Sequence, residues 1–275
     1  EEICKPDKYF LIGEKGSGKT AYSVYMSKSD KINSFCSISL VENTLYQRFL
    51  NMKRQKALEL SSFKDVWINL IYLILAEKIR KEYGETFFSS IKYKQLSKAI
   101  DVFYSDAFKP EFVNAFEFVD NASASINSMM KQGLFSTGTK ASAETSQKYV
   151  EQSFQISLLK IRDGFEKAFM SVNLKKPTIL FVDGIDARPR DIDNEQYFEC
   201  LVGLVNAVLE MNQSFLKEKQ IKIMLLIRPD IMYKMPVHNM NQKLRNNSVL
   251  LNWVTSYPVS YTHLRAHETR RHLVC

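Results

Sequence analysis

Apolar and polar positions change rhythm several times along the chain. Tyr9-Phe10-Leu11-Ile12 is a short apolar run stopping at Gly13, which predicts a strand, and Ala21 to Lys28 continues as a helix. Ile32 to Leu40 alternates apolar with polar residues and predicts a second strand. From Glu42 to about Leu174 strand signals nearly vanish, Pro110 is the sole proline, and helical spacing repeats. Phe63 to Leu75 is apolar on most faces, as a buried helix is, and further helices are expected over 93–104, 111–119 and 145–172. Pro177 to Val182 is an apolar run closed by Asp183, the pattern of a buried parallel strand that delivers a carboxylate to its C-terminal end. A helix over about Asp193 to Lys217 and a strand over Ile221 to Arg228, ending in that arginine, complete the pattern.

Strands alternating with helices predict an α/β fold with a parallel, doubly wound sheet and a large helical insertion. The expected division is a core in two parts, 1–41 and 175–258, an inserted helical section, 42–174, and a tail, 259–275.

Composition adds bounds. The 275 residues, 45% hydrophobic and 25% charged, suit one large α/β domain, alone or with an inserted subdomain. The most apolar helix is interrupted by Asn69 and Glu77, so no membrane span is expected. Four cysteines (Cys4, Cys36, Cys200, Cys275) without a C-x-x-C pair read as free thiols of a cytoplasmic protein. The net charge of +8 allows an acidic partner, nucleic acid included, but it is spread along the chain and points to none in particular. The chain opens on Glu1 rather than Met and reads as a trimmed product.

The chemistry concentrates at Gly13-Glu14-Lys15-Gly16-Ser17-Gly18-Lys19-Thr20, which fits the phosphate-loop (Walker A) pattern without mismatch. Glycines at 13, 16 and 18 let the backbone curl so that N–H groups point inward at a phosphate, and the following helix adds its N-terminal partial charge. Lys19 is placed to reach the β- and γ-phosphates, and the Thr20 hydroxyl to ligate Mg²⁺. A glycine-rich surface turn is the bland alternative, but the strand before and helix after favour nucleoside-triphosphate binding.

Downstream, Asp183 is the natural metal-holding partner of Thr20, with a helix cap as the alternative. Gly184 follows it where a water-polarising Glu is common, and Asp186 is the closest carboxylate. Asp186 serves either as base or water-orienting group, or caps the turn before Arg188-Pro189-Arg190. Arg228 is a candidate γ-phosphate sensor whose alternative is an ion pair with Asp230. Arg188 and Arg190 could act on a neighbouring subunit, though a solvated basic loop is favoured.

Phe10 to Thr20, Phe181 to Asp186 and Leu226 to Ile231 together resemble the bacterial P-loop ATPases of the STAND and AAA-like (ASCE) branch, in which phosphate loop, magnesium Asp and strand-end Arg recur in this order. Asn241 to Trp253 is similar to a segment of poorly characterised members of that group. The resemblance implies binding of ATP and Mg²⁺ and ATP-driven switching, often of oligomers, in regulation or defence. A homo-oligomer and a protein or nucleic-acid partner are the candidate assemblies, nucleic acid on the basic charge only. Gly184 departs from the pattern and puts vigorous hydrolysis in doubt. A nucleotide-binding switch with little turnover and a small-substrate kinase are the other readings, and ATP over GTP is a default because no Asn-Lys-x-Asp segment is apparent.

Three further stretches have two readings each. Ser123 to Ser146 is small and polar, as a lid or loop would be. Phe103, Phe108, Phe112, Phe116 and Phe118 at helical spacing read as core rather than as a base-stacking surface. His263, His267, His272 and Cys275 suggest a metal site, but the tail from Val259 closely resembles translated sequencing-adapter sequence. It is read as an artefact replacing a natural C-terminus beyond Pro258.

Overall fold

The computed structural model describes residues 2–29, 33–41, 63–88, 93–106, 158–186, 188, 192–235, 242, 244 and 246–251. The expected helix at 111–119, the 123–146 segment, Phe108, Phe112, Phe116, Phe118, Arg190 and the tail lie outside them.

Among the described residues five strands form one sheet: β1 (Phe10–Ile12), β2 (Phe35–Leu40), β3 (Thr178–Asp183), β4 (Ile221–Ile227) and β5 (Ser248–Leu250). Their order is β2-β3-β4-β1-β5 and every pair is parallel. The helices among the described residues are α1 (Lys19–Lys28), α2 (Phe63–Phe88, interrupted at Gly84), α3 (Lys94–Asp106), α4 (158–171), α5 (Asn194–Gln213) and α6 (Pro229–Lys234). A parallel α/β architecture is therefore what the alternation of elements produces.

The strand order locates a crevice. From β1 the chain departs toward the β2 edge, whereas from the adjacent β4 it departs the other way, to β5. Neighbouring strands whose connections diverge leave a gap at their C-terminal ends, where open α/β sheets receive ligands. Gly13 follows β1 and Arg228 follows β4, so the two residues flank that gap.

Among the described residues the two faces are covered unequally. Ile221, Ile223, Leu225 and Ile227 of β4 point to one face and share a core with Trp67, Phe165 and Leu204 from α2, α4 and α5. Met224 and Leu226 point to the other face, joining Leu11, Phe181, Met26 of α1 and Ile3 in a smaller cluster. Both central strands are buried at every position, which is why they read as unbroken apolar runs.

The thick face explains why α2 has no polar stripe along its middle. Val66 to Leu73 is buried without a break, because α5 and α4 both press on it. The Trp67 indole donates to the Cys200 carbonyl of α5 at 3.1 Å, and Tyr72 stacks on Phe165 and Phe169 of α4 with centroids 6.0 and 5.6 Å away. Phe103 of α3 is fully buried against Phe165, so its core reading holds.

Local chemistry shifts several expected boundaries. Helix α5 stops at Gln213 rather than Lys217, because the Ser214 N–H and hydroxyl both donate back to the Met211 carbonyl and end the helix there. Asp193 caps its start, its carboxylate accepting the Gln196 N–H at 3.0 Å. Helix α1 begins at Lys19, two residues before the expected Ala21, with Gly18 as its N-cap. Arg228 is not the last strand residue but the N-cap of α6, with Pro229 at the first helical position. Strand β5 was not anticipated. It pairs with β1 in register Leu11↔Val249 and gives that strand a neighbour on both sides.

Candidate functional site

The loop after β1 closes on itself. Gly16 and Gly18 adopt φ of 81° and 83°, left-handed values that a residue with a Cβ rarely takes. This curl wraps the loop around the Lys19 side chain, which is only 7% exposed despite its charge. Its ammonium donates to the Gly13 carbonyl at 2.7 Å and the Glu14 carbonyl at 3.2 Å. Glu14, Lys15 and Gly16 form the exposed crest, and Ser17 is buried beneath it.

Across the crevice, β3 brings Asp183 to the same place. The Thr20 hydroxyl donates to Asp183 Oδ2 at 2.5 Å, joining residues 163 apart in sequence. Asp183 Oδ1 meanwhile accepts the Gly184 N–H at 2.7 Å. The expected pairing of loop threonine and strand-end carboxylate is therefore present. Asp183 is not acting as a helix cap, since α5 is capped by Asp193 instead.

Gly184 has a steric reason for being glycine. Its φ is +86°, and a Cβ there would lie 2.9 Å from the Val41 carbonyl oxygen and 3.3 Å from the Val41 nitrogen. Val41 cannot retreat, because its own N–H is tied to the Asp183 carbonyl at 2.7 Å. The end of β2 thus fills the space a glutamate would need, and any water-orienting carboxylate must come from another position.

Asp186 is the carboxylate that the turn then presents. Its Oδ1 is buried and has no hydrogen-bond partner among the described residues. A buried acceptor left unmade costs about 1–3 kcal/mol, so the site is poised to take a donor. Burial raises the Asp186 pKa; the positive charges of Lys19 and Arg228 oppose the rise, while Asp183 and Asp230 add to it. These same groups surround the end of the crevice. The turn is held by a residue that sequence reading missed: the Tyr197 hydroxyl on α5 donates to the Ile185 carbonyl at 2.8 Å. Burial also pushes the Tyr197 phenol well above its ordinary range, with Asp186 adding to the shift, so it remains a donor.

Arg228 reaches the same edge but is engaged there. Its Nε and Nη2 donate to the two oxygens of Asp230 at 2.9 and 2.6 Å, a bidentate pair that raises its pKa. The ion pair weighed at the sequence level is thus formed, and the charges of Asp186 and Glu14 also act on the guanidinium. Arg188 is tied to its own loop, donating to the Ile192 carbonyl and the Asn194 side chain, and so does not project as a free finger.

The donor set fits a phosphate-bearing ligand and a divalent cation. The loop encloses an ammonium, a hydroxyl and a carboxylate meet beside it, and an orphaned acceptor lies at the crevice end. Among the described residues no cluster of three or more His, Cys, Asp or Glu could hold a metal unaided. A cation at Thr20 and Asp183 would therefore need ligand oxygens and water. Among the described residues no helix is long and apolar enough to cross a membrane, and Cys4, Cys36 and Cys200 are free thiols. Comparison with protein-family models, curated proteins and solved structures gave no match to this chain.

Proposed function

We propose that this protein binds a nucleoside triphosphate, ATP by default, with Mg²⁺ at the crevice between β1 and β4, and hydrolyses its β–γ bond slowly. The observation that carries the reading is the 2.5 Å contact between Thr20 and Asp183 beside a curled loop that encloses Lys19. A loop pattern alone can arise as a surface turn; a strand-end carboxylate delivered to its threonine is much harder to obtain by chance. The placement of β4 between β1 and β3 leaves room for a third group, Arg228, at the same edge.

Each residue then has a distinct task. Lys19 exchanges its loop carbonyls for phosphate oxygens and neutralises their charge. Thr20 and Asp183 would hold the cation, which when bound supplies charge neutralisation across the β- and γ-oxygens. Asp186, with its free buried oxygen, orients a water and accepts its proton. Arg228 leaves Asp230 for the γ-phosphate and returns when that group departs, which makes the Arg228–Asp230 pair the moving part of a switch.

A second reading, a nucleotide-binding switch with almost no turnover, is favoured by Gly184 and by the engaged state of Arg228. Steady-state phosphate release on the full chain, with and without Asp186→Asn, separates the two. The hydrolase reading expects a measurable rate that falls about 10²–10⁴-fold in the variant while ATP binding persists. A wild-type rate no higher than the variant's, with intact binding, supports the switch instead. Transfer of the γ-phosphate to an added small acceptor would revive the kinase reading.

A further inference from the structure

The N-terminal ends of β3 and β4 lie at the opposite end of the strands from the phosphate loop, and they help enclose a pocket of about 280 Å³. That is just below the roughly 300–1,000 Å³ of pockets that hold drug-sized ligands, so it suits a smaller molecule. Pro6, Pro177, Ile179 and Ile221 give it apolar walls, and among the described residues its charged lining is Lys217 and Lys222, with no carboxylate.

Lys222 interrupts an otherwise apolar strand. It lies on the thin face of the sheet, 8% exposed, in the same alternation as Met224 and Leu226. Its ammonium donates to the Ile3 carbonyl and, at 3.0 Å, to the Lys5 carbonyl, which anchors the turn at Glu2–Cys4. Two carbonyls use two of its three protons. Among the described residues it forms no ion pair: Asp7, Cys4 and Cys36 influence it electrostatically, yet burial still lowers its pKa to about 8. The Cys36 thiol, pushed up to about 11 by burial, stays protonated and supplies no counter-charge. Lys222 is thus a buried cation with insufficient compensation, next to a space large enough for an anion. Lys217 stands exposed at the rim of the same space.

We propose that this pocket is a second ligand site, one that binds a small organic anion: a carboxylate on a compact apolar body, its charge held by Lys222 and Lys217 and its body against the prolines and isoleucines. The site is independent of the nucleotide reading, since neither lysine touches the phosphate loop.

Benzoate titrated into the full chain at pH 7 by calorimetry tests it, with benzamide as the neutral isostere. Saturable benzoate binding is expected, with benzamide at least roughly tenfold weaker, a difference of about 1.4 kcal/mol. Lys222→Met should abolish benzoate binding, and Lys217→Ala should weaken it a few-fold. Lys19→Ala should leave it unchanged, so loss of nucleotide binding and loss of benzoate binding are separable. No saturable binding, equal affinity for benzoate and benzamide, or full retention in Lys217→Ala would each overturn the proposal. If Lys222→Met does not fold, the benzamide comparison and Lys217→Ala still decide.

Discussion

The two ends of the same central strands carry opposite chemistry. At their C-terminal ends β3 and β4 lead to Asp183, Asp186 and Arg228, where charges of both signs face each other across a crevice. At their N-terminal ends the one buried charge among the described residues is Lys222, held by backbone carbonyls. The upper end is assembled from long-range side-chain pairs and glycine turns; the lower end is a lysine set into an apolar wall. A parallel sheet gathers every loop of one kind at one edge, so the reactive groups collect there by topology. The other edge takes charge only where one residue tolerates burial, and the difference predicts distinct sensitivities.

The largest effect expected at the upper end is in pH dependence. Because burial raises the Asp186 pKa, its carboxyl protonates at higher pH than an ordinary aspartate, and a protonated carboxyl cannot accept a proton from water. Phosphate release should fall on acidification before exposed carboxylates titrate, and Asp186→Asn should remove this acid limb along with most of the rate. A pH–rate profile for both proteins checks it; an identical limb in the variant would assign the titration to another group.

Next in size is the steric claim at Gly184. Gly184→Ala should cost about 1–3 kcal/mol in chemical denaturation, from positive φ and contact with the Val41 backbone. Gly184→Glu should be no more active than Gly184→Ala, whereas a faster Gly184→Glu enzyme would show that the position can hold a catalytic carboxylate after all. The smallest effect belongs to Tyr197→Phe. Losing the bond to the Ile185 carbonyl should cost about 1 kcal/mol and lower phosphate release with little change in ATP affinity. An affinity loss as large as the rate loss would place Tyr197 in binding rather than in positioning Asp186.

Legibility from sequence divides along the same line. The curled turn from Gly13 to Lys19 could be read because its pattern is local, glycines at fixed spacing between a strand and a helix. Asp183 could be read because an acid closing an apolar run marks the end of a buried strand, where a carboxylate reaches the sheet edge. Fold class followed from alternating elements. Tyr197 and the reason for Gly184 were hidden, because each depends on a partner brought close only by folding: the Ile185 carbonyl and the Val41 backbone. Strand β5 has three residues and gains its identity from β1 rather than from its own pattern. Lys222 did leave a signal, a lysine between Ile221 and Ile223 in a strand buried on both faces, but the strand pattern alone assigned it no role.

The most direct test of the central claim is calorimetric titration of ATP into the full chain, with and without Mg²⁺, for wild type and Lys19→Ala. Mg²⁺-enhanced binding by wild type is expected, with about a hundredfold loss in the variant, roughly 2.7 kcal/mol. Wild-type protein that is folded yet binds no ATP, or a Lys19→Ala variant that binds it equally well, would contradict nucleotide binding at this loop.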